Sequence, residues 1–174
     1  MRATSGLFLL KIVALGAMLG STPSLAQSPT ALAVSRDPIT LGAGRTEIHL
    51  APPRDAVGAA PLAARIKTTA ADRPLYLKFE QLKSNVDPGV TYNAYLDLPP
   101  DRPPQGTGDP HYVGAVTFFN AESGRPAVIN ITDRVKRLAL DGKLRPDSTL
   151  TLVAVGEPSK GAIPQIGRVV LSAE

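Results

Sequence analysis

Leu75-Tyr76-Leu77-Lys78-Phe79-Glu80 alternates apolar and polar side chains without a break, and after the turn Asn85-Val86-Asp87-Pro88-Gly89 a second run, Val90 to Leu98, does the same. A period of two places one set of side chains on a buried face and the other toward solvent, which is the signature of a half-buried strand. In the first run Leu75, Leu77 and Phe79 form the apolar face. In the second, Val90, Tyr92, Ala94, Leu96 and Leu98 form it, with Thr91, Asn93, Tyr95 and Asp97 opposite. The two runs are expected to pair as a hairpin across a long loop.

Working outward, short strands are expected at Ala31–Val34 and Thr46–Leu50, separated by turn signals at Asp37-Pro38 and Gly42-Ala43-Gly44. Ala51-Pro52-Pro53 ends the second of these, because proline has no amide hydrogen for a ladder. Arg54 to Ala64 reads as a loop or a marginal helical turn. On the C-terminal side, Pro99 to Pro110 is a proline-rich loop, expected to be exposed. Tyr112 to Phe119 is a strand whose Gly114 marks a bulge or a close backbone approach. Pro126 to Ile131 is a further strand, and Thr132 or Asp133 is placed to cap a short helix carrying Val135, Leu138 and Ala139 on its buried stripe. Gly142 suits the left-handed position after it. Leu150–Val155, the most hydrophobic strand, is expected to be central, and Ile166–Leu171 closes the domain. The expected fold is all-β: an antiparallel, Greek-key-like sandwich of seven or eight strands with one short helix.

Met1 to Ala26 reads as a secretory signal peptide, with Arg2 at the start, an apolar stretch from Leu7 to Gly20 broken by Lys11, and Ser24-Leu25-Ala26 at the cleavage site. The apolar run is shorter than the roughly 20 residues a membrane span needs. A single domain, 27–174, is then expected in the periplasm or outside the cell, with no membrane insertion. Loss of Arg2 and Lys11 lowers the formal net charge from +4 to +2. Neither a basic run nor basic-aromatic interleaving suggests nucleic acid as a partner.

The chain contains no Cys and 2 His, His49 and His111. That composition excludes disulfide cross-links, thiolate metal sites and cysteine nucleophiles, and leaves too few histidines for a self-contained three-histidine metal centre. Ser35, Ser84, Ser123 and Ser148 lie in or near turns without a nucleophile elbow. Asp97, Asp101 and Asp109 bracket the proline-rich loop and are expected to be solvated. Both His49 and His111 are expected on exposed strand positions. Asn130-Ile131-Thr132 fits a glycosylation triplet, but it also reads as a strand-to-helix junction. No metal, cofactor or enzymatic reaction is expected. Either Phe118 or Phe119 must face outward, as an interface anchor would.

From Leu75 to Leu171 the order of elements resembles the C-terminal domain of tyrosinases and plant polyphenol oxidases, named for a Lys-Phe-Asp-Val sequence. Thr91-Tyr92-Asn93-Ala94 stands where that tetrapeptide would, keeping its aromatic residue. Tyr112-Val113-Gly114 is similar to the family's aromatic-Ala-Gly strand, and Ile131-Thr132-Asp133 to its helix start. The resemblance implies a β-sandwich that covers the mouth of a histidine-held copper pair and can insert one side chain to keep the enzyme latent. The copper domain has no counterpart in this sequence. The implied role is therefore a non-catalytic accessory protein for a separately encoded type-3 copper oxidase. Tyr112, Phe119 and His111 are the candidate interaction or pocket-blocking residues. Copper delivery is not expected, because the small secreted partners of bacterial tyrosinases use copper-binding His and Met, whereas after residue 26 this chain has no Met and only His49 and His111. The alternative reading is a stand-alone envelope module, binding or structural, with a ligand of its own.

Overall fold

Two antiparallel sheets face one another across a single apolar core in the computed structural model, which describes residues 28–56, 58–69, 73–119, 121 and 125–174. The expected leader, 1–26, lies outside the described residues. The elements are β1 (Thr30–Val34), β2 (Ile39–Thr40), β3 (Arg45–His49), α1 (Leu62–Thr69), β4 (Leu75–Lys83), β5 (Thr91–Leu96), β6 (Tyr112–Thr117), β7 (Ala127–Asn130), α2 (Thr132–Leu140), β8 (Thr149–Val155) and β9 (Gln165–Ala173). One sheet runs β1-β9-β4-β7, with β2 also on β9, and the other runs β3-β8-β5-β6. The all-β sandwich is as expected. The additions are the two-residue strand β2 and the helix α1.

The alternation in β4 and β5 positions both strands correctly, but they do not form a hairpin. β4 pairs with β7 and β9, whereas β5 pairs with β6 and β8. The turn at 85–89 therefore carries the chain from one sheet to the other. Leu75, Leu77 and Phe79 then face Tyr92, Ala94 and Leu96 across the core instead of lying beside them. The same turn residues serve either connection, so local chemistry does not distinguish them.

β8 and β9 are central strands, each flanked on both sides. Leu150, Leu152, Val169 and Leu171 are accordingly buried. The helices attach at the end of the first sheet where β4 starts and β7 finishes, and they pack against each other. Leu62 and Ile66 of α1 and Val135, Leu138 and Ala139 of α2 are buried. The capping of α2 differs from the expectation. Asn130 Oδ1 accepts from the Thr132 amide at 3.0 Å. Thr132 Oγ1 instead accepts from the Leu75 amide at 2.8 Å and so fastens the helix to β4. Gly142 follows the helix at φ +67°, as expected.

Where the edge strands β6 and β7 approach, Gly114 does what its place in a strand implied. It stands opposite Ala94 while Tyr112 stands opposite Tyr95, so Val113 is the extra residue of a bulge. Gly114 has φ +153°, and a Cβ there would lie 2.6 Å from Cγ2 of Ile129 on β7. Gly114→Ala is expected to cost roughly 1–3 kcal/mol through overpacking and backbone strain. The check is a denaturant melt, with Ile129→Ala, which removes both clashing methyls, recovering part of the loss in the same chain.

Candidate functional site

The loop from 97 to 111 lies against the outer face of the β3-β8-β5-β6 sheet. At its start, Asp97 takes the left-handed conformation, φ +53°, just after β5. Its carboxylate is almost fully buried and accepts three hydrogen bonds: from the Thr149 amide at 2.8 Å, the Arg145 amide at 2.9 Å and Ser148 Oγ at 3.1 Å. Arg45 on the β3 edge then donates to the carbonyls of Leu98, Pro99 and Pro100 at 3.2–3.3 Å. The loop thus crosses from β5 to the far edge strand before returning to β6. At its other end Asp109 is fully buried, pairs with Arg102 at 2.7 Å, and accepts from the amides of Gln105 and His111 at 3.0 and 2.9 Å.

This cover corrects several expectations. Asp97 and Asp109 are structural acceptors, not solvated loop acids. Tyr95, on the polar side of the alternation, is 1% exposed although it lies outside the apolar core. Burial pushes the carboxyl of Asp97 above its usual range, and its three hydrogen bonds offset only part of that. Burial also raises Asp109, but its backbone hydrogen bonds and the Arg102 guanidinium outweigh it and hold the group below the usual range.

The three candidate residues separate into two places. His111 is buried, contrary to the exposed position expected, and its Nδ1 lies 2.8 Å from the Leu96 carbonyl. Tyr112 is half-buried and meets Tyr95 edge-on, with ring centroids 5.8 Å apart. Phe119 lies beyond the other end of β6, about 20 Å along an extended chain from Tyr112. Phe119 is 75% exposed, while Phe118 is buried and packs edge-on against Tyr92 at 5.8 Å.

Two clefts among the described residues are not built around these candidates. One, of about 950 Å³, opens at the β1–β2 turn and is lined by His49, Glu47, Asp37 and Asp147 among others. His49 is exposed as expected and makes no hydrogen bond among the described residues. A second cleft, of about 830 Å³, lies between the end of β1, residues 52–56 with Gly58, and β9. No group of three His, Cys, Asp or Glu is placed to hold a metal among the described residues. No described helix is long and apolar enough to cross a membrane.

A family model described as a domain of unknown function, DUF7868, matches residues 28–174. The chain belongs to that family. No curated protein matches the chain. Among solved structures, the DUF7868 chain is similar to a latent aurone synthase (polyphenol oxidase), at 15% identity and TM-score 0.48 over 80% of this chain and 26% of the other. It is also similar to latent apple tyrosinase, at 19% identity and TM-score 0.47 over 79% and 27%. The chain spans about a quarter of the length of these oxidases.

In this DUF7868 chain the buried acids hold the loop in place. The cleft residues were missed because Arg36, Asp37, His49 and Asp147 come from separate turns and strand ends with no shared spacing. Asp109 binds its proton more weakly in the folded state than in the unfolded chain. Its stabilisation is therefore complete above the ordinary carboxylate range, near 3.9, and is lost as pH falls through the depressed folded value. Asp109→Asn should cost about 2–3 kcal/mol at neutral pH, with the gap to wild type closing in acid. Asp97 carries the opposite sign, so the deficit of Asp97→Asn should grow as pH falls. Urea melts at neutral and acid pH test both.

Proposed function

We propose that this chain is an exported, non-catalytic accessory domain that docks on and shields a separately encoded type-3 copper oxidase of the tyrosinase kind. The observation that carries the reading is Phe119. Its ring is 75% exposed just beyond the end of β6, beside Phe118, which is buried and packs on Tyr92. One exposed aromatic is normal in a soluble domain, and it is also what an interface anchor looks like. The Tyr92, Tyr112-Val113-Gly114 and Ile131-Thr132-Asp133 motifs supply the class of partner. Tyr112, half-covered and packed on Tyr95, is less free to enter a pocket, and His111 belongs to the loop's scaffold.

A second reading, a ligand-binding module of the cell envelope, draws support from the two clefts of about 950 and 830 Å³, a size that accommodates small organic ligands.

The test is co-purification with an oxidase encoded beside this chain, followed by diphenol oxidation with and without it. The expected result is binding, with slower oxidation in the complex. Phe119→Ala should weaken binding about tenfold or more and leave thermal stability nearly unchanged, because the ring is exposed. Absence of binding by the wild-type chain, together with an unchanged oxidation rate, would overturn the reading.

A further inference from the structure

Some arginines of this fold are built into it, while others, Arg134 and Arg137 of α2 among them, make no side-chain hydrogen bond or ion pair with a described residue. Arg45, Arg65 and Arg73 each donate to backbone carbonyls of distant segments, and Arg102 pairs with Asp109. Arg36, Arg54 and Arg168 make no side-chain hydrogen bond or ion pair with any described residue, yet all three line the 830 Å³ cleft. They reach it from unrelated places: the turn after β1, the 3-10 turn at 54–56, and the solvent side of β9. Asp55 is the one carboxylate among the lining residues. Glu80 stands opposite Arg168 in the β4–β9 register but does not form an ion pair with it.

Three guanidinium groups line one concavity that has a single carboxylate, Asp55, so the cleft carries a net positive charge that water and salt only partly screen. We propose that this cleft is a binding site for a small organic polyanion carrying two or more carboxylate or phosphate groups. Planar guanidinium forks match both oxyanions in a bidentate manner. The volume is far larger than a bare ion needs. Val34, Pro52, Pro53 and Ala56 give the cleft apolar wall for an organic body. On its floor, Ser35 is buried, and its Oγ accepts from the Val169 amide at 2.9 Å, which leaves the hydroxyl proton for a ligand. This site is independent of the Phe119 surface.

Calorimetric titration of the purified chain at low and moderate salt is the test, with citrate, fructose 1,6-bisphosphate and uncharged fructose as probes. Saturable binding of at least one anion and none of fructose is expected, and the stronger of the two anions identifies carboxylate or phosphate as the recognised group. Arg36→Ala, Arg54→Ala and Arg168→Ala should each weaken binding about tenfold. The exposed α2 pair changed together, Arg134→Ala with Arg137→Ala, should leave it unaltered. All three cleft arginines are exposed, so thermal melts of the variants should match wild type. Failure of both anions to bind saturably overturns the proposal, and so does an equal loss in the α2 double variant, which would mark attraction to overall charge.

Discussion

The carboxylate of Asp97 sits at the point where β5 stops and the chain must turn over its own sheet. Its three hydrogen bonds, all from Arg145 to Thr149, tie the end of β5 to the segment that leads into β8. The left-handed backbone at the same residue directs the following loop back across the sheet surface. Every later feature on that side depends on this junction: Arg45 gripping the loop's carbonyls, Tyr95 covered on the outer face, and Asp109 delivering the chain to the start of β6. A buried charge is costly, and the hydrogen bonds that offset part of that cost at Asp97 are the contacts that define the turn.

A chain without cysteine must hold its long connections by other means. Guanidinium forks do that work here. Arg65 joins α1 to the Leu32 carbonyl, and Arg73 joins the start of β4 to the carbonyls of Ser28 and Ala173. Each such bond links segments far apart in sequence, as a disulfide would, but reversibly and with several carbonyls per side chain. Arg36, Arg54 and Arg168 have no such role in the fold, and what sets them apart from other exposed arginines is their shared cleft.

Side chains that face the core were legible because alternation is a local property. Leu75, Leu77, Phe79, Tyr92, Ala94 and Leu96 all lie where their spacing put them. Gly114 was legible for a similar reason, since a glycine inside a strand has few explanations. What escaped was everything set by distant segments. Nothing around Tyr95 or Asp97 in sequence reveals that a proline-rich loop will fold back over them. His111 is buried by the same loop, so its neighbours in sequence suggested the wrong environment. Helix α1 has two buried apolar residues one turn apart, Leu62 and Ile66, too weak a stripe to stand out in an alanine-rich stretch. The arginine cleft gathers residues separated by more than a hundred positions and has no sequence signal.

Both sheets have a middle strand drawn from the final third of the chain. β9 pairs with β1, β2 and β4, and β8 pairs with β3 and β5. Strands β1, β2 and β3 therefore have no strand partner until residues 149–173 are available, although β5 can already pair with β6 and β4 with β7. The molecule cannot complete either sheet before those residues arrive. Its folding awaits loop closures over very long sequence separations, which makes it slow and collective, and until then its apolar strands remain exposed to chaperones and to one another.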